Sequence, residues 1–495
     1  MQRLLEIAPG ALSWGTLIAL FFFSWKFPLF VVIGIVLYDF LWLLRTVYFF
    51  FHLRFSFARM KKNLAINWRE RLEQSSLSWK QVHHMAVFTI YKEPYEVICE
   101  SVKSLCETNF PLSHIILVLA IEERGGVEDR AHVETIAAEF GAKFKKVLIT
   151  EHPAHIEGEV AGKASNEAWA VREAYEQVVI PLQLSPKEIV VSVFDADVHP
   201  TKDYFGILTY TYVTTPNPTH AGYQPIVVFS NAYQVPLFAR LLGFSCSFWS
   251  MIQQARPEQL MTFSCYSIPL QALVDVKFWN TNVIAEDARI FYQCLNYYAG
   301  DWRVVPLHYP VTMEAVSGSS FLSAATNLYK QQRRWAWGVE NIPYVVKEFV
   351  KNKSFPWRKK IFWIVNIFDT FHSWAVSSLV IFLAGILPNL IGGIAFRATV
   401  ASYNLPIITS AIMNISALGL VSSAFMSILL LSPKVEFTHA RWYHNGYYVL
   451  QWIFIPIAFI VFGAFPALDA QTRLMLGGRL RLGYWSTPRS IIKST

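Results

Sequence analysis

The chain contains neither a Gly-x-Gly-x-x-Gly stretch nor a Gly-x-x-x-x-Gly-Lys-Ser/Thr stretch, so a dinucleotide-binding fingerprint and a phosphate-binding P-loop have no support. Cysteine is scarce. Cys99, Cys106, Cys246, Cys265 and Cys294 form no Cys-x-x-Cys pair and no metal-ligand spacing, which excludes a zinc site and a disulfide framework and leaves reduced thiols in packing roles. Charge is scarce too: 16% of the 495 residues are charged, against 54% apolar and 16% aromatic, a balance that excludes an ordinary soluble enzyme. No internal repeat or low-complexity tract is present.

What is present is long apolar sequence on both sides of a more polar middle. Residues 11–51 are nearly uncharged apart from Lys26, Asp39 and Arg45, and Trp25-Lys26-Phe27-Pro28 interrupts them. At ~1.5 Å per residue against a hydrocarbon core of ~30 Å, this block accommodates two closely spaced helices, the first of them short. A cleaved signal peptide needs a basic start and a small-residue cleavage site. Neither is found and a second span follows, so the block reads as a retained transmembrane hairpin.

Further apolar blocks run from Ile361 to Ile394, Leu405 to Leu431 and Tyr447 to Leu468; the first is longer than one span needs and carries Asp369 and His372. Arg54, Arg59, Lys61 and Lys62 follow the hairpin and basic residues crowd Lys347 to Lys360, so the positive-inside rule puts the middle in the cytosol. The tail carries Arg473, Arg479, Arg481, Arg489 and Lys493 and belongs inside by the same rule, although three preceding spans would place it outside. The net charge of +8 gathers at these membrane flanks. Anionic lipid headgroups of the bilayer are therefore the expected partner, and nucleic acid is not.

From about His83 to Trp337, short apolar runs alternate with helical patterns. Met85–Tyr91, Ile115–Ile121, Lys145–Thr150 and Glu188–Phe194 have strand length, with helical spacing between them over Glu93–Thr108 and around Ala164–Gln177. This alternation predicts a mostly parallel sheet covered on both faces, with ligands beyond the carboxyl ends of its strands. His152–Gly162 and Pro216–Pro225 read as loops.

Several polar residues fall where chemistry is expected. Asp195 and Asp197 stand two apart after a strand, so both carboxylates can face one divalent cation such as Mg2+ or Mn2+. Glu286-Asp287 stands before a helical run, Ala288 to Tyr298, and reads either as a capping pair or as the source of a general base. Lys163, in Gly162-Lys163-Ala164-Ser165-Asn166 at a helix start, is placed to meet a phosphate. Gln331-Gln332-Arg333-Arg334-Trp335 sets an amide, two guanidinium groups and an indole beside the membrane; Arg334 suits a diphosphate and Trp335 a sugar face.

In this order the motifs resemble those of family 2 membrane-integrated glycosyltransferases, the group containing cellulose synthase, hyaluronan synthase and ceramide glucosyltransferase. Tyr91-Lys92-Glu93-Pro94 looks like the first-strand end that opens the nucleotide pocket, and Gly162-Lys163-Ala164 is similar to the Lys-Ala segment near the donor diphosphate. Asp195-Ala196-Asp197 matches the metal-binding DxD. Ala285-Glu286-Asp287 matches Thr-Glu-Asp, whose Asp is the base, and Gln331 to Trp335 matches QxxRW. Phe263-Ser264-Cys265-Tyr266-Ser267 resembles the acceptor-contacting segment, and Tyr484-Trp485-Ser486-Thr487-Pro488-Arg489 is similar to the gating loop of cellulose synthases. Two positions depart from the pattern: Glu122-Glu123 replaces the aspartate after the second strand, and Ala285 replaces Thr.

The resemblance implies an α/β GT-A (Rossmann-like) domain over residues 83–340, inserted between transmembrane helices at 11–51 and 361–468. An interfacial segment at 341–360 and a cytosolic tail at 469–495 complete the expected layout. It implies an inverting hexosyltransferase acting at the cytosolic face of the plasma membrane. The donor is a nucleotide sugar, most often a UDP-sugar in such relatives, and the acceptor a lipid or growing glycan. Glu93, Lys163, Asp195, Gln331 and Arg334 are expected at the donor, Asp195 and Asp197 at the metal, Asp287 with Glu286 at the proton transfer, and Trp335, Cys265 and Tyr266 at the acceptor. A polymerase and a non-processive lipid glycosyltransferase both fit these motifs. A membrane transporter or channel with a nucleotide-binding domain is the alternative of another class.

Overall fold

The computed structural model describes residues 1–232, 234–431 and 448–486. Its centre is an eight-stranded sheet: β1 (His83–Thr89), β2 (Ile115–Glu122), β3 (Lys146–His152), β4 (Ile189–Asp195), β5 (His199–Pro200), β6 (Ala221–Phe229), β7 (Tyr266–Pro269) and β8 (Arg303–Met313). The spatial order is β3-β2-β1-β4-β7-β6-β8-β5. β3, β2, β1 and β4 pair in parallel, β7 runs antiparallel to β4, and β6 and β8 are again parallel to each other. The mostly parallel α/β sheet expected from the alternation is therefore what the chain adopts.

The apolar strand runs are continuous because both faces are covered. Ala86, Phe88, Leu117, Leu119, Val190 and Phe194 point into one core, while Met85, Val87, Ile116, Val118, Val191 and Val193 point into another. The soluble helices are α3 (Trp68–Glu73), α4 (Tyr95–Cys106), α5 (Val127–Phe140), α6 (Lys163–Ala174), α7 (Tyr204–Thr214), α8 (Leu237–Gln254), α9 (Leu270–Asp275), α10 (Glu286–Tyr297), α11 (Phe321–Ala336) and α12 (Asn341–Lys351), in chain order. Ile98, Val102 and Leu105 of α4 and Tyr204 and Leu208 of α7 close the first core; Ala168 and Val171 of α6 and Ile290, Phe291 and Cys294 of α10 close the second. All five cysteines are free thiols.

The N-terminal hairpin is longer than the expected 11–51. It comprises α1 (Gln2–Lys26) and α2 (Pro28–Leu64), turned at Phe27 with Pro28 at the first position of the second helix. α2 buries Val31, Val32 and Ile35 and exposes Leu29, Phe30, Ile33, Leu37, Phe40, Leu41 and Leu44, the inverse of what water permits. On the C-terminal side, the block that is longer than one span begins within α13 (Trp357–Ala384). That helix is followed by α14 (Leu387–Ile391), α15 (Gly393–Arg397) and α16 (Val400–Leu431). Among the described residues, Gln2–Lys26, Pro28–Leu64, Trp357–Ala384 and Tyr448–Leu476 are long and apolar enough to cross a membrane. α16 is a further helix of 32 residues without a charged side chain. The expected gating-loop residues Thr487, Pro488 and Arg489 lie outside the described residues, as does Lys493.

The stretch 448–476 ends in the helix Phe465–Leu476, so Asp469, expected to open an interfacial tail, sits inside a helix. This last helix packs along α1. Ser13 donates to Gln471 Oε1 (2.7 Å), Gln471 Nε2 donates to the Phe371 carbonyl (2.7 Å), and Arg3 reaches the carbonyl of Leu474 (3.0 Å) at the helix end. Gly10 permits this approach, because a Cβ there would lie 2.9 Å from both the Gln471 carbonyl and Met475 Cβ. Gly10→Val is therefore expected to cost about 1–3 kcal/mol through overpacking. Gly15→Val, at a glycine with nothing within 4 Å, is the control. Thermal unfolding of the detergent-solubilised protein checks the difference, and equal midpoints for the two variants refute the close contact.

Candidate active site

The carboxyl ends of β1, β2 and β4 open onto a cleft. Tyr91, Glu122 and Asn166 line it toward the β1–β2 side; Lys163, Asp195, Asp197 and Arg334 line it toward β4, and Tyr484 and Ser486 from the tail complete the wall. The β1 end is bent into shape by a local backbone anomaly. Lys92 has φ 62°, and its N–H donates to Asp129 Oδ2 (2.9 Å) at the start of α5, which turns Tyr91 and Glu93 toward the opening.

Lys163 is the hub. It is the first residue of α6, 8% exposed, with its ammonium 2.7 Å from Asp195 Oδ1, 3.3 Å from Glu167 Oε1 and 3.5 Å from Glu286 Oε1. Burial alone would lower its pKa, but the surrounding carboxylates, Asp195 foremost, carry it well above the usual lysine value. Burial drives Glu167 well above the ordinary carboxylate range despite Lys163. Glu286 is raised to about 7 by burial, with Lys163 opposing and the Asp287 charge reinforcing the shift. One ammonium faces three carboxyl groups, so the site has an excess of negative potential that protons or a further cation relieve.

Asp197 is 1% exposed and accepts the Glu314 N–H (3.2 Å), while the Asp195 side chain is 26% exposed to the cleft. Among the described residues no third His, Cys, Asp or Glu joins them in a metal-holding group. Two hard carboxylates that leave the other positions to phosphate oxygens and water are the donor set that Mg2+ or Mn2+ accepts in such sites, so the residues present fit that ion.

Glu286 and Asp287 form the first turn of α10 rather than the segment before it, since the helix begins one residue after Ala285. Asp287 is half-buried and accepts N–H groups from Ser264 (2.9 Å) and Ala288 (2.7 Å), which fixes its carboxylate. α11 brings the arginines. Arg334 lines the cleft with its guanidinium 5.6 Å from the Tyr484 ring centre, and its buried Nε has no hydrogen-bond partner among the described residues. Arg333 faces the opposite way and pairs with Asp469 (2.9 Å), which also holds Arg473 (2.6 Å).

Gln331 is buried in α11, and Trp335 is half-buried against the first core. Cys265 and Tyr266 are fully buried, Cys265 in the first core and Tyr266 in the second, where it accepts from the Trp279 indole (2.5 Å), and neither side chain lines the cleft. Their neighbour Ser264 is the residue of that segment that reaches Asp287. Glu167 and Asn166 were not singled out from the sequence. Their spacing of four and three residues from Lys163 on a helix was the signal that placed all three on one face.

A family model described as Glycosyl transferase family group 2 matches residues 190–465, more than half of the chain. Among solved structures, the chain is similar to the mannosyltransferase PcManGT from Pyrobaculum calidifontis in complex with GDP-Man and Mn2+. The two are 14% identical with a TM-score of 0.44, over 80% of this chain and 98% of that one. TarS 1-349 of S. aureus in complex with UDP-GlcNAc matches at 14% identity and a TM-score of 0.33, over 70% and 92%. GalNAc-T7 with UDP, GalNAc and Mn2+ matches at 10% and 0.33, over 64% and 54%. No curated protein sequence matches the chain.

Removing one partner from a buried ion cluster costs about 3–5 kcal/mol, so Lys163→Met is expected to lower stability by that order, read by unfolding in detergent. Glu286 binds its proton more tightly in the folded chain, at about 7, than at the ordinary 4.5. The stability it contributes is therefore complete below pH 4.5 and is lost as pH rises through about 7. Glu286→Gln should flatten the decline across that window; an unchanged pH slope would show that Glu286 is not held this way.

Proposed function

The chain belongs to glycosyl transferase family group 2, and from that premise we propose an inverting, metal-dependent transfer of a sugar from a nucleoside diphosphate to a lipid or growing glycan. The observation that carries the reading is the convergence on Lys163. Its ammonium bridges Asp195 of the cleft (2.7 Å) and Glu286 of α10 (3.5 Å), so the diphosphate end of a donor and the neighbouring Asp287 share one neighbourhood.

In this reading Lys163 and Arg334 face the donor diphosphate. Asp195 and Asp197 would hold Mg2+ or Mn2+, whose charge would offset that of the diphosphate. Asp287, oriented by two backbone N–H groups, takes the proton from the acceptor hydroxyl. The freed oxygen forms its bond to the anomeric carbon as the bond to the diphosphate oxygen breaks on the opposite face, which inverts that centre. Arg334 stabilises the charge that develops on the leaving diphosphate. Glu93 and Gln331 support the donor from the β1 end and from α11, and Trp335 is kept at the acceptor side. Ser264 replaces Cys265 and Tyr266 as the group nearest the base.

The bilayer supports the same reading. Arg54, Arg59, Lys61 and Lys62 at the end of α2 and Lys347, Lys351, Lys353, Arg358, Lys359 and Lys360 around α12 and α13 favour a cytosolic catalytic domain at the inner face of the plasma membrane. A lipid-linked or membrane-extruded acceptor then meets the site without leaving the surface.

Asp287→Asn is expected to reduce transfer by about 100-fold or more, the usual contribution of a general base, with nucleoside diphosphate binding retained. Transfer of radiolabelled sugar and calorimetry on the purified protein measure the two quantities; unchanged turnover removes Asp287 from the role. Chelation is expected to abolish transfer, and Mn2+ or Mg2+ to restore it. Full activity after exhaustive chelation eliminates the metal.

A further inference from the structure

The strand order separates the two ends of the cleft. Glu122 ends β2 and Asp195 ends β4 with β1 between them; Asp195 is level with Ala120, so Glu122 lies two strand spacings across and two residues farther along, about 12 Å away. That is room for a ribose between a diphosphate at Lys163 and a base beside Glu122, and Tyr91 at the end of β1 offers a ring in the same wall.

The hydrogen-bonding character of that end is set by two side chains. Glu122 is 2% exposed, and Arg124 clamps it from one side only: both guanidinium contacts, through Nε (3.0 Å) and Nη2, fall on Oε2. The other oxygen, Oε1, makes no hydrogen bond to the described residues. Arg124 is itself placed by the Tyr91 ring, 4.9 Å from its centre. Asn166 is 1% exposed; its Nδ2 donates to the Ala120 carbonyl (2.9 Å), which settles the amide orientation and leaves Oδ1 as a buried acceptor without a partner among the described residues. Both residues line the cleft. The base end thus presents two acceptors with vacant hydrogen-bonding capacity, and a buried acceptor left unmatched is costly.

We infer that this end of the cleft selects guanine, so that the donor is a guanosine diphosphate sugar rather than the uridine nucleotide the family resemblance implies; this rests on the glycosyltransfer reading above. Guanine carries two adjacent donors, N1–H and the exocyclic N2–H2, and pairs with two acceptors at once. Uracil carries a single donor, N3–H, between two carbonyl oxygens, so it satisfies one acceptor and sets a carbonyl against the other. Cytosine and adenine each offer one amino group beside a ring-nitrogen acceptor. Glu122, one methylene longer than the expected aspartate, extends its carboxylate farther from the strand end.

The test is calorimetric titration of the full-length protein in detergent with GDP, UDP, ADP and CDP, each with Mn2+. GDP is expected to bind about 10- to 100-fold more tightly than UDP, the penalty for one buried acceptor left unpaired. Asn166→Ala should erase most of that preference by weakening GDP and not UDP, and Glu122→Gln should weaken GDP as well. UDP binding as tightly as GDP in the wild-type protein overturns the assignment while leaving the glycosyltransfer reading intact. Equal loss of GDP and UDP on Asn166→Ala overturns it too, because Asn166 would then serve the ribose. Binding of no nucleoside diphosphate overturns both.

Discussion

A single ammonium group organises this molecule. Lys163 draws the end of β4, the first turn of α10 and the body of α6 to within hydrogen-bonding or ion-pair distance of one atom, and each of those elements brings a carboxyl group that is otherwise costly to bury. Clusters of this kind stabilise a fold weakly at best, since desolvation offsets most of their mutual attraction. Their value lies in position. In the reading proposed above the same lysine faces the donor diphosphate, so one group both gathers the carboxylates and meets the substrate, and the excess negative charge around it favours a cation.

The second constraint joins this centre to the apolar helices. α11 carries Arg334 on the face toward the cleft and Arg333 on the face toward the last helix, where Asp469 pairs with it. Asp469 and Gln471 lie two residues apart; the former binds the catalytic side and the latter binds Ser13 of α1 and the Phe371 carbonyl of α13. Displacing the last helix therefore displaces Arg333 and, through the shared backbone, its neighbour Arg334. The last helix and the cleft are joined through one turn of α11.

Much of this was legible in the sequence because the signals were short-range. The four apolar runs of the parallel half became strands within one or two residues of their expected limits; in β1, β2 and β4, buried on both faces, no polar interruption blurs the ends, while β3 is the half-exposed edge strand. Asp195 and Asp197 were readable from their place after a strand, Lys163 and Glu286 from helix starts, and Arg334 from the Gln331–Trp335 stretch beside the apolar sequence. What the sequence concealed depends on distant neighbours. α1 begins at Gln2 rather than near residue 11, because Glu6 in its polar first turns is buried by Arg3 and Arg481, and no local pattern announces a partner 475 positions away. Cys265 and Tyr266 were expected at the acceptor only through the resemblance of their segment, and both are fully buried, Tyr266 at the start of β7 and Cys265 just before it. Glu167 and Asn166 passed unnoticed because a helix interior reads the same whether its polar face meets water or a cleft.

The tie between two segments far apart in the sequence also fixes a wall of the cleft. Arg3 grips the carbonyl of Leu474 and Glu6 holds Arg481 at 2.5 Å, three residues before the tyrosine that rests against Gly162 and Arg334. α1 is therefore an anchor for Tyr484 and Ser486: a change that frees Arg3 or Glu6 loosens the stretch that closes the cleft, although neither residue lines it.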